Sequence, residues 1–203
     1  MKKKIAALVA IAMIFGCVVG GTVAWLADKT TEVKNTFTVG DINIDLTETT
    51  SDYKMVPGNK IAKDPKVTVE ANSEACYLFV KVDKSANYDT YLSNPAIADG
   101  WTPMDGSTDP LTGASGVYYR MVTADVAKTG ASYYVLEGLA NTDYANGYVT
   151  VNNTVTKTQM EAAKTAAPTL TFTAYAVQSA NINSVTEAWA QAQTAAAPAT
   201  PAN

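Results

Sequence analysis

Cys76-Tyr77-Leu78-Phe79-Val80-Lys81-Val82 is apolar at both odd and even positions, with Lys81 the one charged interruption. Side chains alternate between the two faces of a strand, so a stretch apolar on both parities is covered from both sides and belongs at the centre of a layered β fold. Outward from it, Thr169 to Gln178 repeats the period of two, with Leu170, Phe172, Ala174 and Ala176 on one face and Thr171, Thr173 and Tyr175 on the other. Lys66 to Glu70, Gly116 to Val122, Ser132 to Glu137 and Gly147 to Val151 read as further strands, separated by Pro, Gly, Asn and Asp clusters. In Phe37 to Leu46 the apolar frame shifts across Gly40-Asp41, from Phe37 and Val39 to Ile42, Ile44 and Leu46, so a bulge at Gly40 is expected. The pattern predicts a mainly β chain, a jelly-roll-like antiparallel β-sandwich with short helical inserts and a C-terminal helix.

The helices are marked by their starts. Ser184 with Glu187 is a Ser-x-x-Glu capping box, after which Val185, Ala188, Trp189 and Ala192 share a helical face. Thr158 with Glu161 predicts a second, short helix that ends before Pro168. The Pro-Ala-Thr-Pro-Ala-Asn run at 198–203 has no apolar anchor and is expected to be a disordered tail.

The amino terminus carries an export pattern. Lys2, Lys3 and Lys4 precede an apolar run from Ile5 to Val19, which closes on Gly20, Gly21 and Thr22-Val23-Ala24. Cleavage between Ala24 and Trp25 leaves 179 of the 203 residues and takes the net charge from −4 to −7, since three lysines leave. Two alternatives are an uncleaved anchor, the run approaching the ~20 residues of a membrane span, and acylation at Cys17 in the lipobox-like Ile14-Phe15-Gly16-Cys17. After cleavage Cys76 is left without a partner cysteine, so the fold is stabilised by its core alone. The organisation expected is a signal peptide over 1–24, an N-terminal segment over 25–36, a β-sandwich over 37–197 and a tail over 198–203.

Composition excludes much chemistry. The chain has no histidine, which removes imidazole bases, Ser-His-Asp triads and imidazole metal ligands. Its 15 basic against 19 acidic residues, with Arg120 the sole arginine, argue against nucleic acid as a partner.

The junction Gly20-Gly21-Thr22-Val23-Ala24-Trp25-Leu26-Ala27-Asp28 resembles the start of the TasA and camelysin family of secreted bacterial proteins. So do Asn35-Thr36-Phe37-Thr38-Val39-Gly40-Asp41-Ile42, the turn Val56-Pro57-Gly58-Asn59-Lys60 and the polar Asn72-Ser73-Glu74-Ala75. Pro168 to Val177 followed by Trp189 is similar to other small exported proteins of this processing route. The resemblance implies release by a SipW-type signal peptidase and a jelly roll that polymerises head to tail with itself into biofilm-matrix fibres, or coats cells or spores, with other matrix proteins as further partners. It also implies that the stretch after the cleavage site is donated as a strand to a neighbouring subunit. On this sequence the donor falls within Trp25 to Thr36, with Trp25, Leu26 and Val33 as its apolar anchors and Phe37 at the entry to the first strand.

Three rivals stay in view. Camelysin-like members are described as metallopeptidases, but a chain with no histidine and Cys76 as its one mature thiol departs from such a centre. Asp41, Asn43 and Asp45 alternate like the start of a calcium loop, yet Leu46 stands where the loop needs Gly and Asp52 where it needs Glu, so a polar outward strand face is expected. Asp105-Gly106-Ser107-Thr108-Asp109 is a better oxygen-ligand loop and equally a turn. Finally, Tyr88, Tyr91, Trp101, Tyr118, Tyr119, Tyr133 and Tyr134 can serve a monomeric adhesin or carbohydrate-binding module if their rings form an exposed strip; core packing is the alternative for them. The reading is a secreted, non-enzymatic structural subunit, with no catalytic residue, metal ligand or cofactor nominated.

Overall fold

The computed structural model describes residues 40–49, 53–93, 96–104 and 115–196. Its strands are β1 (Ile44–Thr47), β2 (Lys60–Ala62), β3 (Lys66–Val69), β4 (Cys76–Lys84), β5 (Leu92–Ser93), β6 (Thr102–Pro103), β7 (Ser115–Val122), β8 (Ala131–Tyr134), β9 (Tyr148–Val151) and β10 (Leu170–Gln178). The helices are α1 (Tyr88–Tyr91), α2 (Ala124–Thr129), α3 (Lys157–Ala163) and α4 (Val185–Ala196). Every strand pairing among the described residues is antiparallel, and the architecture is mainly β as the periodicity predicts.

β4 is the central strand that its sequence requires. β10 pairs along its entire length on one side, from Leu170 opposite Lys84 to Gln178 opposite Cys76, and β7 with β6 beyond it extends the sheet on the other. One face of this sheet, carrying Leu78, Val80, Val82, Tyr118, Val122, Phe172 and Ala174, packs on the sheet β1-β3-β8 through Ile44, Leu46, Val67, Val69 and Tyr133. The opposite face carries Tyr77, Phe79, Tyr119, Tyr175 and Val177, and α4 covers it with Val185, Ala188, Trp189 and Ala192. Two sheets and a helix thus make three layers with β4 in the middle. Phe79 on its outer parity is as fully buried as Leu78 on its inner one, and each such side chain contributes roughly 1.5–3 kcal/mol by leaving water.

A smaller sheet, β2-β9-β5, builds a second core with α1 and α3 from Tyr88, Leu92, Leu136, Val149, Val151, Val155 and Ala163. Leu170 and Phe172 of β10 border both cores, so the start of β10 is where they meet.

Three expectations are corrected in detail. The strand read over Phe37 to Leu46 is seen only from Ile44, Phe37 to Val39 on the far side of the expected bulge lie outside the described residues, and Gly40 lies against Glu74, whose Cγ would stand 2.7 Å from a Cβ added there. The strand read as Ser132 to Glu137 runs over Ala131–Tyr134, after which Val135 and Leu136 are both buried and the alternation ends. The helix before Pro168 is capped two residues earlier than read, by Thr156 and Gln159, each bonding the other's backbone N–H. Val155 before that cap and Met160 four residues after it belong to the same core, the arrangement of a hydrophobic staple, and this fixes the helix start. At the C-terminal helix the Ser184 half of the expected box is present, Ser184 Oγ accepting from Glu187 N at 3.2 Å, while the Glu187 carboxylate accepts from Asn183 N at 3.1 Å, one residue before the cap.

Candidate assembly surface

β10 is nine residues long, stands at the edge of its sheet and carries no charge, no Pro and no Gly. The other sheet edges among the described residues are β1 and β8 with four residues each, β2 with three, β5 with two, and β6 with two, one of which is Pro103. Short length, charge and proline are how native sheets protect their edges from pairing with another chain. β10 has none of them.

β10 faces β1 across the sandwich. Leu46, Thr47 and Glu48 at the end of β1 share a cavity of about 280 Å³ with Leu170, Thr171 and Phe172. At the same end of β10 a larger cavity of about 420 Å³ opens over the second core, lined by Tyr53, Met55, Ile61, Lys63, Tyr88, Leu92, Val149 and residues 167–171. Lys63 forms the polar part of its wall: its stem is buried and its Nζ lies 2.6 and 2.8 Å from the two Glu48 oxygens. The ammonium also stands 5.0 Å from the Tyr53 ring centroid and 5.5 Å from that of Phe172, within cation–π range. Burial first, and then the neighbouring Glu48 carboxylate, hold the Tyr53 hydroxyl well above the usual phenol range. The wall is therefore mixed, with the un-ionised Tyr53 phenol, Lys63 paired to Glu48 behind it, and Thr169 and Thr171 among apolar side chains.

The other side of the sandwich, at β7 and β8, is plugged. Arg120 lies over the Tyr133 ring and beside Trp101, which meets Tyr133 edge-on, and Trp101 Nε1 donates to the Tyr134 carbonyl at 2.9 Å. Burial lowers the Arg120 pKa, which Tyr133 partly offsets.

The residues nominated for processing and donation, Ala24, Trp25, Leu26, Val33 and Phe37, lie outside the described residues, as do Asp105 and Asp109 and the tail. Asp41, Asn43 and Asp45 form the outward, exposed face beside β1, and Asn43 Nδ2 donates to Asp41 Oδ2 at 3.1 Å. The aromatic residues do not make an exposed strip: Tyr88, Tyr91, Trp101 and Tyr118 are buried, Tyr119 lies under α4, Tyr133 packs on the core, and Tyr134 is 37% exposed. Lys63, Glu48 and Tyr53 were not singled out by the sequence, because a lone lysine ahead of Asp64-Pro65 has no periodicity to mark it as buried. The alternation of β10 was legible in the sequence, but its place at a sheet edge is a tertiary fact.

Residues 1–87 match the family model described as camelysin metallo-endopeptidase. The match covers residues 20–28, 35–42, 56–60 and 72–75, leaves out Pro168 to Val177 and Trp189, and ends one residue before α1. No curated protein and no solved structure matches this chain. The family's description implies a metal, and the donor set does not fit one: the chain has no histidine, its Cys76 thiol is fully buried and pushed up to about 11 by that burial, and no group of three or more Cys, Asp and Glu among the described residues is placed to hold an ion. Among the described residues no helix is long and apolar enough to cross a membrane.

Proposed function

From the camelysin match over residues 1–87, we propose that this chain is an exported structural subunit of an extracellular fibre or coat. A SipW-type signal peptidase removes residues 1–24, and the freed segment Trp25 to Thr36 pairs as a strand with a neighbouring copy. The observation that carries this reading is β10: nine uncharged residues on an outer edge, in a fold whose other sheet edges are short or carry proline. Main-chain hydrogen bonds to such an edge supply affinity for any extended chain, and alternating side chains set the register. Donation from one copy to the next is a head-to-tail contact that does not close, which yields a filament.

The test is electron microscopy and sedimentation of the chain starting at Trp25 beside one starting at Phe37. Filaments from the longer form alone support the reading. A mature chain that stays monomeric at high concentration across pH and salt overturns it, and ligand affinity in that monomer favours an adhesin.

A further inference from the structure

The cavity of about 420 Å³ over the second core has the size of a small-molecule site. Its walls are side chains that alternate into it: Tyr53 and Met55 are half-buried while Lys54 and Val56 are exposed, and Ile61 is half-buried between exposed Lys60 and Ala62. Buried Leu92 and Val149 close its inner end, and exposed Ala167 and Thr169 stand at its mouth. We propose that this cavity binds a small, neutral ring compound carrying a carbonyl group, with the ring against the apolar wall and the carbonyl oxygen accepting from Lys63 Nζ. The proposal concerns the single chain and holds whether or not copies assemble.

The donor is supplied by Lys63. An ammonium has three N–H donors, and the two Glu48 oxygens at 2.6 and 2.8 Å take at most two of them. Glu48 is its only hydrogen-bond acceptor among the described residues. That carboxylate lines the neighbouring hollow of about 280 Å³, whereas Lys63 lines the larger one, so a donor remains on the side of the larger cavity. A buried donor of this kind binds an acceptor strongly, because the alternative is to leave it unpaired away from water.

Charge and shape narrow the class. Burial first, and then the Glu48 and Asp64 carboxylates, hold the Tyr53 phenol un-ionised. An anionic ligand beside Tyr53 meets the same two carboxylates, and a cationic one meets Lys63, so the molecule that fits is neutral. A flat ring suits a wall that offers the Tyr53 ring and the thioether of Met55, both of which pack well on aromatic groups.

The experiment titrates the chain starting at Trp25 with acetylnaphthalene, with ethylnaphthalene, which has the same shape and no acceptor, and with naphthoate, which adds an anion. Calorimetry reads affinity, and the methyl signals of labelled methionines read location, with Met55 in the wall and the exposed Met121 on β7 as reference. Acetylnaphthalene is expected to bind about tenfold more tightly than either of the others, the effect of one hydrogen bond to a charged donor, and to move Met55 but not Met121. Ala167→Trp, which fills the mouth from an exposed position, is expected to abolish this binding with an unchanged dichroism spectrum. Lys63→Met combined with Glu48→Gln is expected to erase the preference for the acetyl compound; should that variant not fold, the ligand series and Ala167→Trp still decide. No binding by any of the three, equal binding by all, tightest binding by naphthoate, or an unmoved Met55 each overturns the proposal. A chain that forms filaments and binds none of them keeps the subunit reading and loses this one.

Discussion

The Arg120 guanidinium stands 3.7 Å from the centroid of the Tyr133 ring, and the Trp101 ring, set edge-on to Tyr133, lies 5.2 Å from it. The chain's sole arginine is thus used as a planar packing element that seals one side of the sandwich. Lysine keeps the charge and loses the flat surface, so Arg120→Lys is expected to destabilise the fold by about 1 kcal/mol. Urea unfolding at neutral pH measures it. Assembly through the proposed β10 edge, on the opposite side, is expected to keep its critical concentration.

Gly147 has a backbone only glycine adopts freely, at φ +128, and an added Cβ would overlap the Lys63 carbonyl oxygen. Its own carbonyl accepts from Lys63 N at 3.1 Å, fastening β9 beside the Lys63 wall of the cavity. Gly147→Ala is expected to cost about 2–4 kcal/mol, because neither partner is a side chain that can swing aside. Thermal unfolding that differs from the parent by less than a degree or so would refute it.

How far the sequence reached can be traced through particular residues. β4 and β10 were legible because they are long and patterned: Phe79 between Leu78 and Val80 announces two covered faces, and α4 is the cover that Phe79, Tyr175 and Val177 need. The sheet β2-β9-β5 was half missed, because Lys60-Ile61-Ala62 and Leu92-Ser93 are too short to show any period and are strands only through β9. Thr158-x-x-Glu161 and Thr156-x-x-Gln159 are equal as caps on paper; burial of Val155 beside Met160 decides for the second, and that is a tertiary fact. The cavity was invisible for the same reason: its walls come from β2, β9, α1 and the start of β10, which no local pattern relates.

Cys76 gives the fold an alkaline limit. Burial pushes its thiol from 9.0 up to about 11. The unfolded chain loses this proton first, so stability is full below about pH 9, falls as pH rises toward 11 and levels off above, by about 2–3 kcal/mol in all. Tyr53 and Tyr88, also raised by burial, act in the same direction above the ordinary phenol pKa of 10.0. Urea unfolding between pH 8 and 10 therefore isolates the thiol. Cys76→Ala is expected to flatten the decline in that window whatever it does to absolute stability.

Trp189 ties α4 to the sheet, with its ring 5.3 Å from Phe79 and 5.2 Å edge-on from Tyr175. Trp189→Ala is expected to cost about 3 kcal/mol through lost burial and the hollow it leaves. Because β10 also pairs with β4 along its length, the sheet is expected to survive. Near-ultraviolet dichroism should drop while the far-ultraviolet strand signal persists; simultaneous loss of both would mean that α4 is required for the sheet itself.

The β10 edge can be guarded without harming the monomer, because its two exposed-side threonines face opposite charges on β4. Thr171 lies across from Asp83 and Thr173 across from Lys81. A lysine at 171 gains a cross-strand carboxylate, whereas one at 173 meets a like charge, which destabilises by roughly 0.2–1 kcal/mol. Thr171→Lys is thus expected to leave Tm within experimental error while raising the critical concentration for filaments by about tenfold, since a charged edge resists a further strand. Thr171→Glu beside Asp83 is the control: it guards the edge equally and lowers Tm. Filaments that form as readily from Thr171→Lys as from the parent would move the acceptor away from β10.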